Sequence, residues 1–270
     1  MTATATLQRP PRHPRAWSWL LIGSQRAVAA LWWWLGWKVG VPALIATHLL
    51  FVWGTLAPHS ALFGPVLTRL PTTCKQVWLT IDDGPSAETR VLLDLLDRYQ
   101  ARATFFLVAD RVEALPQVAR EIVARGHGIG NHSRSHPQAW FWALGPGAMA
   151  DEIDHTQRIL HGITGITPRW FRAVVGMANP FVSAPLKRHG LARVAWSARG
   201  FDGVRGDTVK VVARIASQLQ PGAIVLLHEG APHGNNLAIV EGVLQALRQQ
   251  GYSSVLPEQL QNTDAPVGVT

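Results

Sequence analysis

Leu79-Thr80-Ile81-Asp82-Asp83-Gly84-Pro85-Ser86 is the stretch on which the reading of this chain turns. An apolar run over Val77, Trp78, Leu79 and Ile81 stops at two adjacent carboxylates, and Gly84-Pro85 then breaks the strand. Inside a strand neighbouring side chains point to opposite faces. At a strand's last residues that alternation relaxes, and both acids can turn toward one site. Two carboxylates so close repel, and both stay ionised only beside positive charge. A metal ion is the natural candidate. Asp-Asp-Gly-Pro is also ordinary turn chemistry, so this stretch alone leaves a surface turn open.

From Gln76 onward, strand-like runs alternate with helix-like patterns. Strands are expected at 76–82, 104–109, 128–131, 170–172, 192–196, 223–228 and 252–256. Helices are expected at 86–100, 116–125, 147–162, 180–189, 207–219 and 237–249. In the first helix Val91, Leu92, Leu95, Leu96 and Tyr99 share one face, and Asp207 is placed to cap the fifth. Such alternation implies a parallel sheet. Six or seven regular units favour an α/β fold of the distorted parallel (β/α)7-type barrel kind over an open sheet. In a parallel barrel, chemistry collects at the C-terminal ends of the strands.

The reactive residues fall there. Asp82 and Asp83 follow the first strand, and Asn131-His132-Ser133-Arg134-Ser135-His136-Pro137 follows the third. Two His four apart can meet on one face of a helical turn and reach one metal. Arg172 ends the fourth strand, Asp202 lies just past the fifth, and His228 closes the apolar sixth, Ile224-Val225-Leu226-Leu227. His233, on a nearby loop, is a further candidate for substrate contact. Non-haem iron oxygenases also use two His and one carboxylate, but on a β-sandwich barrel with His-x-Asp before a distant His. The order here is Asp first and His-x-x-x-His second.

The N-terminal quarter has a different composition. Residues 1 to 70 contain no Asp or Glu but carry Arg9, Arg12, Arg15, Arg26, Lys38 and Arg69, six of the net eight positive charges. The rest of the chain is nearly balanced, and no aromatic-basic RNA motif accompanies the charge, so the basic character does not point to nucleic acid. One cysteine, Cys74, excludes an intramolecular disulfide. Seven of the twelve Trp precede residue 60, and 39–57 is free of charge apart from His48. That length crosses a hydrocarbon core, and the Trp32 to Trp37 cluster suits a membrane interface. The stretch 16–37, interrupted by Gln25 and Arg26, is either a second span or an interfacial helix. By the positive-inside rule the arginines at 9 to 15 are cytoplasmic. One span would put the main domain outside the cytoplasm, and two would return it inside. One span plus an interfacial helix is the expectation, in a bacterial-type inner membrane with an extracytoplasmic catalytic domain. The expected layout is therefore 1–57 as basic N-terminus and membrane-associated helical segment, 58–75 as linker, 76–257 as the catalytic domain and 258–270 as a tail.

In combination, Thr80-Ile81-Asp82-Asp83-Gly84, His132 to His136, Arg172-Ala173-Val174-Val175-Gly176, Asp202 and Leu226 to His228 resemble the NodB-homology polysaccharide deacetylases, carbohydrate esterase family four. The resemblance implies that Asp83, His132 and His136 bind a divalent metal, most simply zinc, with cobalt or nickel also fitting. It implies Asp82 as general base, His228 as general acid, Arg172 as the partner of Asp82 and Asp202 as the partner of His228. It also implies that Val175 occupies the position whose backbone N–H helps bind the oxyanion in the family. The implied activity is hydrolysis of N-acetyl groups from an amino-sugar polysaccharide or oligosaccharide at the cell envelope. A lipid-linked amino sugar carrying an acetyl or formyl group is the alternative substrate. A catalytically degenerate carbohydrate-binding membrane protein is the alternative of another class. The pattern departs from the family at Val174 and Val175, which replace Pro and Tyr, and at Gly203, where Trp is common. The implied partners are thus an N-acylated amino-sugar glycan or glycolipid and the membrane.

Overall fold

A computed structural model describes residues 7–260. Nine strands, β1 (Val66–Leu67), β2 (Gln76–Gly84), β3 (Ala103–Leu107), β4 (Gly128–Asn131), β5 (Trp170–Phe171), β6 (Ala192–Val194), β7 (Ala198–Arg199), β8 (Ile224–His228) and β9 (Ser253–Ser254), form one sheet. Its path is β1-β6-β5-β4-β3-β2-β8-β7, with β9 beside β2, and every pairing between these strands is parallel.

The helices are α1 (Ala16–Leu35), α2 (Trp37–Leu56), α3 (Thr89–Arg98), α4 (Ala109–Ala114), α5 (Pro116–Ala124), α6 (Pro146–Thr164), α7 (Ser183–His189), α8 (Thr208–Ala216) and α9 (Asn236–Gln249). Asp207 caps α8 as expected, its side chain accepting from Lys210 N. The first helix of the domain starts later than expected. Ser86 N donates to Thr89 Oγ1, and both hydroxyls donate to Glu229, so these residues serve the turn rather than the helix.

The parallel α/β architecture agrees with the pattern of alternation, but a regular ring of seven units does not form. The sheet is a curled half-barrel whose path ends at β1 and β7. Residues 192–199 pair first with β5 and β1 as β6 and then with β8 as β7, so one short segment joins the two sides of the curl. The 58–75 stretch expected as a linker contributes β1, in register with β6 at Val66–Arg193 and Leu67–Val194. Of the expected tail, Glu258 and Gln259 belong with Pro257 to a short 3-10 turn, and 261–270 lie outside the described residues.

Alternation along β2 sorts its side chains. Val77, Leu79 and Ile81 join the large core with Leu92, Leu96, Phe105, Val225 and Val240, all fully or almost fully buried. Trp78, Thr80 and Asp82 take the other, concave side. There Trp78 packs with Phe106 and Trp170 and donates from Nε1 to Thr104 Oγ1 at 2.8 Å. Each such apolar side chain contributes about 1.5–3 kcal/mol by leaving water, which fixes β2 in the centre of the sheet.

The N-terminal helices pack as an antiparallel hairpin turned at Gly36, with Gln25 Nε2 donating to Thr47 Oγ1 at 3.3 Å. Gly40 leaves room for the Trp32 ring. The outer faces stay apolar and uncovered: Trp19, Trp33 and Trp34 are 75%, 85% and 80% exposed. Helix α2 is long and apolar enough to cross a membrane. Both ends of the hairpin rest on the sheet domain. Before α1, Leu7 enters the Trp78 cluster, Gln8 donates to Gly190 O, and Lys187 donates to Arg12 O. At the end of α2, Thr55 O accepts from Ala178 N at 3.1 Å.

Candidate active site

Strand register assembles the site. Asp82 is paired with Phe106 of β3 on one side and with His228 of β8 on the other. Asn131 ends β4 opposite Leu107 and Phe171. His132 and Arg172 are therefore the next residues at neighbouring strand ends.

The two acids share the site because of a bulge. Asp82 pairs with Phe106 and Gly84 with Leu107, so Asp83 is the extra residue between them. Its φ is 71°, and its carbonyl accepts from Arg111 on α4. Inserting one residue re-aims the side chain that strict alternation would send to the opposite face. Among the described residues six non-glycine residues have positive φ, and five of them, Asp83, Ser133, His136, Val175 and Phe201, lie at or beside this site. Each such conformation costs of order 1–3 kcal/mol, so backbone strain is concentrated here.

Asp82 is almost fully buried and accepts from Arg172 Nη1 at 2.7 Å through Oδ1. The same guanidinium donates to Thr80 Oγ1 and Ala195 O and lies 4.2 Å from the Phe106 ring centre. Burial lowers the Arg172 pKa, against which the Asp82 charge acts. Arg172→Ala would leave the Asp82 charge buried without its cation. The expected loss is about 3–5 kcal/mol of stability, read from the unfolding midpoint of the detergent-solubilised protein. An unchanged midpoint would show that the pair does not hold the fold.

Asp83, His132 and His136 bring one ligand atom each to within 4.8 Å of one another. Asp83 Oδ1 stands 2.9 Å from His136 Nε2 and 3.4 Å from His132 Nε2 but accepts no hydrogen bond. The reason lies on the far side of the His132 ring. Its Nδ1 lies 2.9 Å from Arg172 O, an acceptor, so Nδ1 carries the proton and Nε2 presents a lone pair. The His132 lone pair and the His136 Nε2, both facing a buried carboxylate oxygen, fit a cation, and two imidazoles with one carboxylate suit zinc while leaving coordination positions open. Burial would raise the Asp83 carboxyl, but positive charge on the side of His132 and His136, supplied by protons on the rings or by a cation in their place, outweighs it and holds the group well below the usual carboxylate range. Burial lowers His136, more than the facing Asp83 raises it. The donor set therefore fits a divalent metal.

Across the cavity Asp202, fully buried, grips His228 twice: Oδ2 accepts from the His228 backbone N at 2.6 Å, and Oδ1 lies 3.1 Å from Nδ1. Burial would lower the His228 pKa. The Asp202 charge and hydrogen bond outweigh it, Asp82 and Asp83 add to them, and the group is pushed up to about 9. A protonated imidazole is available as an acid below that value and lost above it. The kcat/KM profile should therefore fall on its alkaline side with the pKa of His228, at or below about 9 once a cation neutralises part of the Asp82–Asp83 field. Asp202→Asn should move that limb down toward the ordinary imidazole value of about 6.5. A limb that stays in place would exclude His228 as its source.

A cavity of about 340 Å³ opens over these groups, walled further by Gln138, Val175, Trp196, Arg199, Phe201 and Leu226. Asp82, Asp83, His132, His136, Val175 and His228 all line it, while Arg172 and Asp202 lie behind Asp82 and His228. Val175 stands on the rim, 49% exposed with φ 56°. Gly203 lies against the His228 ring, where a Cβ would meet three ring carbons at 3.3 Å. His233 turns away from a substrate role, its Nε2 lying 2.6 Å from Asp202 O. Trp196, Leu226 and Arg111 were not singled out as site residues from sequence. The first two read as core strand residues, and Arg111 falls between an expected strand and an expected helix, in no expected element.

Comparison with known proteins agrees with this geometry. The profile of the family described as polysaccharide deacetylase matches residues 69–194. A chitooligosaccharide deacetylase of Bradyrhizobium sp. (strain ANU 289) is 32% identical over 185 residues, covering 68% of this chain and 84% of the relative. A peptidoglycan-N-acetylglucosamine deacetylase of Bacillus cereus is 30% identical over 73% of this chain and 93% of its own length. Among solved structures, a family 4 carbohydrate esterase from Streptomyces lividans in complex with acetate superposes with a TM-score of 0.62 at 32% identity, covering 68% of this chain and 94% of that one. With its strand-end Asp-Asp pair, His-x-x-x-His and closing His on a curled parallel sheet, the chain belongs to the NodB-homology polysaccharide deacetylases of carbohydrate esterase family four, hydrolases that cleave the carbon–nitrogen bond of an acylated amino sugar.

Proposed function

We propose that this protein is a metal-dependent N-deacetylase of an N-acetylated amino-sugar oligosaccharide or polysaccharide, working at the membrane of the cell envelope. The observation that carries the reading is the convergence of Asp83, His132 and His136 on one point beside Asp82 and His228. Asp83, His132 and His136 hold the cation, and zinc suits the set best. When bound, the cation supplies Lewis acidity, polarising the acyl carbonyl and acidifying water.

The remaining work falls to the chain. Asp82 Oδ1 is pinned by Arg172, leaving Oδ2, on the side of His132, to take a proton from the attacking water. His228, its Nδ1 held by Asp202, gives a proton through Nε2 to the departing nitrogen. The carbon–nitrogen bond breaks, and the products are acetate and a free amine. The Val175 backbone N–H is the donor for the developing oxyanion. The domain layout of membrane segment, connecting stretch and catalytic domain is part of this proposal.

The hairpin anchors the protein in a bilayer by its uncovered Trp-rich faces. Its antiparallel course favours a topology other than a single span with an interfacial helix. Residues 7–12 and the end of α2 both rest on the catalytic domain, which supports a reading with that domain on the same side as Arg9, Arg12 and Arg15. By the positive-inside rule that side is the cytoplasm.

Acetate release from N-acetylglucosamine oligomers by the solubilised full-length protein with zinc or cobalt tests the activity. Absence of release from a folded, zinc-loaded protein, on these and on lipid-linked sugars alike, would refute it. A reporter fused after Thr270 tests the topology: fluorescence of a protein that matures only in the cytoplasm is expected, and activity of a phosphatase that folds only outside would reverse it.

A further inference from the structure

The cavity wall beyond His228 carries positive charge in Arg199, and the exposed guanidinium groups of Arg205 and Arg214 stand on the surface beside it. Three guanidinium groups surround the Phe201 ring, with Arg199 at 3.8 Å, Arg214 at 4.7 Å and Arg205 at 5.6 Å from its centre. They come from β7, α8 and the loop between them, so no single helix face explains their gathering. Phe201 holds the centre of the group with φ 68°. Among the described residues none of the three arginines pairs with a carboxylate. Burial, and then the charge of Arg214, lowers the Arg199 pKa. Such a group is repulsive alone and becomes favourable when an anion arrives. Arginine forks match phosphate oxygens in paired, charge-assisted hydrogen bonds. Both Arg199 and Phe201 line the catalytic cavity.

The other end of the same wall leads to the hairpin. Arg199 also lies 5.1 Å from the Trp196 ring, and Trp196 meets His59 edge-on at 5.8 Å. Pro58 packs on Gly176, leaving no room for a Cβ there. His59 and Pro58 follow directly on α2. The wall thus begins where the apolar helix ends, continues over Trp196 and closes at the arginines. The rim between is apolar, with Val175 49% and Val204 80% exposed.

We propose that Arg199, Arg205 and Arg214 around Phe201 form a phosphate-binding subsite, and that the acylated amino sugar entering this cavity is joined through that phosphate to a membrane lipid. The inference rests on the deacetylase reading and names its substrate class. A neutral glycan has nothing to offer three arginines. A soluble nucleotide sugar carries phosphate but makes no use of a site seated at the end of a bilayer helix.

The test uses the full-length protein in detergent with zinc. Acetate release is compared on N-acetylglucosamine linked to a short polyprenyl phosphate, on uridine diphosphate N-acetylglucosamine and on the chitin trisaccharide. The expected result is a kcat/KM for the prenyl phosphate about 100-fold or more above the trisaccharide. The Arg205→Ala/Arg214→Ala double variant should cut that ratio about 10- to 100-fold, as loss of two charge-assisted hydrogen bonds implies, and the Lys/Lys pair should restore part of it. A trisaccharide turned over as well as the lipid, or a ratio unmoved in the double variant, would overturn the subsite while leaving the deacetylase intact. Preference for the nucleotide sugar would overturn the lipid. No acetate from any of the three would sink the deacetylase reading and this one with it.

Discussion

Stripping divalent cations from the solubilised protein is expected to abolish acetate release, and adding back zinc or cobalt to restore it. The expectation follows from the geometry around Asp83 Oδ1, where two imidazole nitrogens approach a buried oxygen that accepts no hydrogen bond. The Lewis acidity of a cation is worth several kcal/mol of barrier, so its loss should slow turnover about 10³-fold or more. Asp83→Ala and His132→Ala should behave like chelation, and elemental analysis should find little zinc retained by either. Undiminished turnover in chelator would remove the metal from the mechanism and leave the Asp-His-His cluster without a role.

Asp82→Asn is expected to lower kcat by about 10²–10⁴-fold, the usual contribution of a positioned general base, while zinc stays bound. The substitution keeps the volume of the side chain and an oxygen to face Arg172. It removes only the capacity to take a proton. The contrast with Asp83 sharpens the test, because the neighbouring carboxylate should lose metal and activity together. An Asp82→Asn protein that kept full activity would take the base assignment away even if metal-dependent deacetylation stood.

The contrast between these neighbours also shows how far local sequence reaches. Asp82, Arg172 and His228 are legible because each follows an apolar run, His132 because it opens His-x-x-x-His after a short expected strand, and a parallel sheet brings strand ends together. That Asp83 turns to the same side is not legible in mechanism, since a bulge depends on the partner strand's register rather than on residue type. Strands β1 and β7 have two residues each, too few for a period to show. The six-residue α4 is equally silent, and with it the role of Arg111. Trp196 and Leu226 look like buried strand residues because they are that too. Only the curl of residues 192–199 from one side of the sheet to the other makes a cavity wall of Trp196. The N-terminal region shows the opposite limit. Its apolarity raises the expectation of a membrane segment, but the entry of Leu7 into the cluster of Trp78 and Leu70, which brings the start of the hairpin back to the domain, leaves no mark on any local pattern.

The inserted residue at Asp83 sets the function of this chain against its stability in the most literal way. A deletion of that one codon would let β2 and β3 pair without interruption and would release a strained left-handed backbone position. It would also remove the carboxylate proposed to hold the metal with His132 and His136. The shortened protein should fold at least as well and catalyse nothing. Loss of activity in this fold is thus a downhill step available to a single mutational event, while its recovery demands that a register error be put back at one particular place. Selection for the reaction, rather than for the fold, is what keeps the sheet imperfect.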